Sequence, residues 1–138
     1  KIVPYDGDDN DYFGKALALD NQWLAVSSLY DNVNGEKSGS AYLFKLEDNQ
    51  WNFHTKIMPF DGAPFDRFGY SIDIHNNTLV VGVPFEGSNQ QTITNGTSSS
   101  LNNDLALSGA VYVYRRSGTS WAQEAYIKAV NGLMLMKK

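Results

Sequence analysis

Short apolar runs separated by polar turns set the rhythm of this chain. Trp23 to Val26, Ala41 to Phe44, Leu79 to Val81 and Val111 to Tyr114 are continuous apolar or aromatic stretches. A sheet with one wet face alternates apolar and polar residues, whereas strands covered on both faces read as unbroken apolar runs. The pattern predicts four strands near 13–19, 23–29, 39–47 and 51–57, four more near 68–74, 78–83, 109–115 and 121–128, and no helix. Asn21-Gln22 and Asn76-Asn77 stand between the first two strands of each set. Asn tolerates the left-handed backbone that a two-residue hairpin demands. Glu47-Asp48-Asn49-Gln50 and Arg116-Ser117-Gly118-Thr119-Ser120 close the last hairpin of each set, so both sets read as antiparallel meanders.

The two sets are copies. Pro4-Tyr5-Asp6-Gly7, Asp11, Phe13-Gly14, Leu17 and Leu19 return 55 positions later as Pro59-Phe60-Asp61-Gly62, Asp66, Phe68-Gly69, Ile72 and Ile74. Ser38-Gly39, Tyr42 and Trp51 return at an offset of 70, which puts 15 extra residues in the second copy, within roughly 86–107. Internal repetition at this spacing points to an array of like units. A four-stranded antiparallel sheet covered on both faces and repeated in tandem fits the blade of a β-propeller. The fold class expected is therefore all-β, two blades forming a partial propeller or a ring completed by oligomerisation. Residues 1–57 make the first blade, 58–129 the second with its 86–107 loop, and 130–138 a truncated or frameshifted third repeat. Small Ala16, Ala18 and Ser71 suit an innermost strand, and Gly14 and Gly69 permit close backbone approach where it opens. The competing architecture, a pair of β-sandwich modules, would alternate more cleanly and would rarely repeat Phe-Gly and Trp landmarks every four strands.

Those landmarks resemble a known family. Phe13-Gly14 and Phe68-Gly69, Val81-Gly82-Val83-Pro84, Gly109-Ala110-Val111-Tyr112-Val113-Tyr114 and Trp121 resemble the FG-GAP repeat of integrin-α-like propellers, in its bacterial-type secreted form, over the chain to about residue 130. In the first copy one landmark is degraded to Val26-Ser27-Ser28-Leu29. The resemblance implies an extracellular or periplasmic propeller, or one at the cell surface, that binds other molecules through its loops. It supplies no catalytic residues. Calcium in integrin-like propellers occupies a longer hairpin than Asp20-Asn21-Gln22 or His75-Asn76-Asn77, so those cages do not carry over.

Composition narrows the function. A formal charge of −4, with Arg115-Arg116 the one basic pair inside an aromatic-rich segment, gives no footprint for nucleic acid. No apolar stretch approaches the roughly 18–20 residues of a membrane span. With no cysteine there is no disulfide, thiolate nucleophile or sulfur-ligated zinc. His54 and His75 are the two histidines, and neither belongs to a recurring feature. No nucleophile elbow, phosphate-cradling loop or paired-histidine motif is present, so the chain is expected not to be an enzyme.

The carboxylates are the candidate ligand-binding residues: Asp6, Asp8, Asp9 and Asp11 in the first copy, Asp61 and Asp66 in the second. Asp6, Asp8 and Asn10 open like a calcium loop, which would make calcium the one cofactor; without it, none is implied. Against that, the sixth position is Asp11 rather than Gly and the twelfth is Leu17 rather than Glu. Asp11 and Asp66 recur two residues before Phe-Gly and are read as turn caps accepting backbone N–H bonds. In a propeller, loops joining strands two to three and four to the next blade emerge on one face, so the 86–107 insertion and both Asp-Gly loops share it. That insertion is polar, flexible and longer than closure requires. Asn95-Gly96-Thr97 and Asn76-Asn77-Thr78 fit the glycosylation acceptor pattern.

Two blades leave open flanks, and repeat proteins need three or more units. The expected partners are further blades, from a longer protein or from other copies, and a protein or glycan ligand. The start aligns with Lys56 to Pro59, inside a repeat, and Tyr126 to Gly132 tracks Lys1 to Gly7 before Leu133 to Lys138 abandons the pattern. A shift of reading frame is the expectation there. The function read from the sequence is a non-enzymatic β-propeller module acting as an extracellular binding or adhesion scaffold. The alternatives are the propeller portion of a larger secreted hydrolase or lectin, and a calcium-stabilised module.

Overall fold

The computed structural model describes residues 1–129, and the expected third repeat from 130 lies outside them. Nine strands and no helix make up this region: β1 (Phe13–Asp20), β2 (Trp23–Ser28), β3 (Ser40–Glu47), β4 (Gln50–Ile57), β5 (Ser71–His75), β6 (Thr78–Val83), β7 (Ile93–Asn95), β8 (Ala110–Ser117) and β9 (Ser120–Ile127). The first sheet has the order β1-β2-β3-β4 and the second β5-β6-β8-β9-β7, every pair antiparallel. The turn chemistry works as expected: Asn21 and Asn76 sit at φ 52, and Asp48 and Asn49 at φ 49 and 62. Asp and Asn are among the residues that adopt this left-handed backbone most readily.

Three details depart from the sequence expectation. The second copy's first strand begins at Ser71 rather than Phe68, because Phe68 pairs instead with Gly39 of the first sheet as a parallel bridge. Its N–H donates to Ser38 O at 2.7 Å. The backbones come so close that a Cβ on Gly39, whose φ is +84, would lie 2.3 Å from Phe68 O. Gly69 likewise meets Ser27, whereas Gly14 has open space around it and is required by its φ of +92 alone. Lastly, the insertion is not all loop: β7 adds a fifth strand to the outer edge of β9 through Ile93, Thr94 and Asn95.

One core joins the two sheets. Trp23, Ala25, Ala41 and Leu43 of the first face Leu79, Val81, Tyr112 and Tyr114 of the second, with Phe68 fully buried among them. Each buried Leu, Val or Phe among them contributes about 1.5–3 kcal/mol by leaving water. A smaller cluster of Val26, Tyr42 and Phe44 lies on the first sheet's other face under Ile2, Phe13, Leu24 and Trp51. The two-sided burial expected of every blade therefore holds for β2 and β3, where Ala25 to Ser28 and Ser40 to Phe44 are buried without a break. In the second sheet burial alternates: Leu79 and Val81 are buried, but Val80 between them is 37% exposed. Val80, Val111 and Val113 point away from the first sheet, where nothing among the described residues covers them fully, so that face is half open. The first sheet's outer flank is open too, with Leu17 and Leu19 each 64% exposed. These are two antiparallel sheets stacked as propeller blades and not closed into a ring.

Candidate functional site

The chain between β4 and β5 crosses from one blade to the next and lies against the β2–β3 loop. Asn34 Nδ2 donates to Pro59 O at 2.7 Å and Phe65 N to Glu36 O at 2.7 Å. The insertion closes on the same region: Gly87, Asn103, Ala106 and Leu107 face Ala63, Pro64 and Asp66 across a cleft of about 280 Å³. Of the acidic candidates of the second copy, the buried Asp66 thus lies against the 86–107 loop.

Asp11 and Asp66 cap their turns. Asp11 Oδ2 accepts from Asp8 N at 2.8 Å and Asp66 Oδ2 from Ala63 N at 2.9 Å. Burial pushes the Asp66 carboxyl up to about 6, with Glu86 and Asp61 adding to the rise. Asp8 and Asp9 are exposed, and Asn10 occupies the left-handed region at φ 68.

Asp6 and Asp61 do something the sequence reading missed. The Tyr42 hydroxyl donates to Asp6 Oδ1 at 2.7 Å, and the Tyr112 hydroxyl lies 3.0 Å from both oxygens of Asp61. The aspartate at the head of each repeat thereby holds the third-strand tyrosine of its own blade. The signal lay in the sequence, since Asp6/Asp61 and Tyr42/Tyr112 recur together.

Around this shared pair the charges differ. In the first blade Lys56 Nζ lies 2.8 Å from Asp6 Oδ2 and 2.7 Å from Asp31 Oδ2, and Ser40 Oγ donates to Asp31 at 2.6 Å. Against the effect of burial, Lys56 and Tyr42 hold the Asp6 carboxyl below its ordinary value, and Asp31 and Asp6 raise the Lys56 ammonium above its own. In the second blade Glu86 and Tyr126 replace Asp31 and Lys56. Tyr126 hydroxyl donates to Glu86 Oε1 at 3.1 Å, while the buried Lys128, two residues on, reaches Glu86 Oε2 at 2.5 Å and Ser108 Oγ at 2.6 Å. Among the described residues no cation pairs with Asp61, and burial raises its carboxyl.

Asp6 therefore has one oxygen on Tyr42 and the other on Lys56. Among the described residues no group of three or more His, Asp or Glu side chains is placed to hold a metal ion. Of the set Asp6, Asp8 and Asn10, Asp6 is thus engaged by Tyr42 and Lys56 while Asp8 and Asn10 are exposed. His54 sits edge-on to Trp23 at 4.8 Å with Nε2 2.5 Å from Thr119 O, a contact between the two blades, and His75 is exposed on its hairpin.

No curated protein matches the chain. The sequence model of the FG-GAP repeat matches residues 1–44 and 51–114, which contain both Phe-Gly landmarks, both Asp-Gly turns and the strands that carry Tyr42 and Tyr112. With most of its length covered by that match, and two like sheets stacked as blades, this chain belongs to the FG-GAP repeat family.

Proposed function

We propose that this chain is a non-enzymatic binding and adhesion scaffold, displayed outside the cell or in a periplasm, in which the blades hold a loop face toward a ligand. One observation carries the reading. The recurring carboxylates are consumed as acceptors for tyrosine hydroxyls and turn amides, so the groups left over for recognition belong to the 86–107 insertion and the exposed turns beside it. The scaffold works without a resident metal ion, since the one calcium-like loop spends Asp6 on Tyr42 and Lys56. The half-open faces of both sheets are completed by further blades, from a longer protein or from other copies, because Val80, Leu17 and Leu19 gain only when a like sheet covers them.

The test replaces residues 88–107 with a loop as short as that of the first blade. β7 is attached through three residue pairs, so the shortened chain should keep its melting temperature within a few degrees. Excision should weaken adhesion to the surface or glycan panel that the unaltered chain binds, and substitution of the exposed turns beside the loop should remove what is left. Protease shaving of intact cells should remove the protein. Adhesion surviving both the excision and substitution of the exposed turn residues beside it, a protein protected inside the cytoplasm, or turnover of ester, glycoside or phosphate substrates that persists through purification would each overturn the proposal.

A further inference from the structure

Along the loop edge shared by the two blades, aromatic rings and cations alternate in a strip. Tyr12 stacks on Tyr30 with centroids 4.5 Å apart. The Arg67 guanidinium lies 5.2 Å from the Tyr30 ring and 4.5 Å from that of Phe85. Tyr70 meets Phe85 edge-on at 5.9 Å and carries Lys15 Nζ 5.3 Å from its own centroid. Lys37 reaches the rings of Tyr30 and Phe65 at 5.3 and 6.0 Å. The strip crosses the blade boundary three times, through Arg67 on Tyr30, Lys15 on Tyr70 and Lys37 on Phe65.

Its backbone is unusual. Five residues other than Gly, Asn and Asp have positive φ: Tyr12, Lys37, Phe65, Arg67 and Leu107. Four of them are in the strip, and Leu107 is the repeat counterpart of Lys37. The turn shape belongs to the repeat, since Tyr12 and Arg67 stand at equivalent positions with φ 57 and 58, and Asn10 and Phe65 with φ 68 and 67. Gly or Asn would serve that shape best. Bulky aromatic and cationic residues held there against preference mark a site whose side chains are wanted for something else.

Its cations are also uncommitted. Arg67 and Lys15 take part in none of the six ion pairs among the described residues, and Lys37 has only a 3.8 Å contact with its exposed neighbour Glu36. Arg67 Nε is buried with no hydrogen-bond partner among the described residues. A guanidinium held between two rings keeps its fork aimed, and that fork matches a carboxylate or sulfate with two parallel bonds.

We propose that the strip binds an acidic polysaccharide, with carboxylate or sulfate groups on Arg67, Lys37 and Lys15 and the apolar faces of sugar rings on the exposed Tyr12, Phe65 and Tyr70. Clustered cations also read an acidic peptide, but the flat exposed rings of Tyr12, Phe65 and Tyr70 beside them favour a ligand that offers ring faces along with its anions. The proposal rests on the scaffold reading above and names its ligand.

The experiment measures retention of the 138-residue chain on immobilised polygalacturonate, heparin, dextran and poly-glutamate. Polygalacturonate and heparin separate a carboxylate from a sulfate as the anion read. Binding is expected on at least one of those two, with none on dextran and far less on poly-glutamate. Arg67→Gln should weaken it about tenfold or more, the size of an arginine hot spot, and Arg67→Lys should recover only part of the loss. Tyr12→Gly and Phe65→Gly relieve the backbone, so they should hold or raise the melting temperature while weakening binding several-fold, the opposite of what a merely structural role would give. The proposal is overturned by no retention on either acidic polysaccharide, by equal retention on poly-glutamate, or by indifference to Arg67→Gln. Binding that ignores Arg67 but vanishes when residues 88–107 are excised overturns the strip and leaves the scaffold reading standing.

Discussion

In the first blade Lys56 lies between Asp6 and Asp31; in the second a tyrosine holds that strand position and the cation arrives from Lys128, two residues later, reaching Glu86 but not Asp61. The aspartate–tyrosine hydrogen bond is common to both blades. So is the aromatic geometry around it: Phe13 meets Tyr42 and Phe44 at 5.4 and 6.3 Å, and Phe68 meets Tyr112 and Tyr114 at 5.6 and 6.2 Å. Directional contacts that define the blade are kept, while charge compensation is rearranged. A carboxylate accepting a hydroxyl depends on placement within a few tenths of an ångström, whereas a lysine on a flexible stem can reach the same charge from a different residue.

The comparison can be broken most forcefully at the two phenylalanines. Phe68→Ala should cost about 3–5 kcal/mol, the usual range for a fully buried aromatic, because the ring sits in the core joining both sheets. Phe13→Ala, on the half-covered flank, should cost less than half as much. Urea unfolding of the two variants measures both; equal losses would mean that the flanks are equally covered.

Next comes pH, where the blades should respond in opposite directions. Asp66 is raised in the fold from 3.8 to about 6, so its protonated form is the one the fold prefers. The stability it contributes is full below about pH 4 and is lost as pH rises to about 6, on the order of 3 kcal/mol in all. Asp6 is lowered, so its contribution is present above 3.8 and fades as pH falls further. Asp66→Asn keeps an acceptor for Ala63 N and removes the titration. It should be more stable than the parent at pH 7.5 and indistinguishable from it at pH 4, as measured by chemical denaturation across that range. A parent whose stability does not fall between pH 4 and 6 would contradict the burial of Asp66.

The finest test separates the tyrosines. Tyr112→Phe removes the hydroxyl that serves both Asp61 oxygens and should cost about 1–3 kcal/mol. Tyr42→Phe leaves Asp6 its lysine and should cost about 0.5–1.5 kcal/mol. If Lys56→Met erased that difference between the tyrosines, the lysine would be identified as its cause.

The strands were legible because their turns carry chemistry of their own. Asn21, Asn76, Asp48 and Asn49 adopt left-handed backbone where the hairpins need it, and the eight strands of the two meanders fall within a few residues of expectation. β7 was not legible: three residues, Ile93, Thr94 and Asn95, carry no period, and their strand state comes from the edge of β9. Nor was the uneven burial of the second sheet, since Val80 reads as core in sequence and is left uncovered only by the absence of a neighbour among the described residues. At the candidate site, the turn-capping of Asp11 and Asp66 followed from their position before Phe-Gly. The partners of Asp6 and Asp61 lie 36 and 51 residues away, and only strand pairing brings them together.

That last separation decides where a blade can be cut. A transplanted unit beginning at Phe68 would include every strand of its meander yet strip the Tyr112 phenol of Asp61, and one beginning at Phe13 would leave the Tyr42 phenol only its longer, 3.3 Å bond to Asp31. The segment from Pro4 or Pro59 onward, outside the sheet though it is, travels with the blade as part of its smallest exchangeable module.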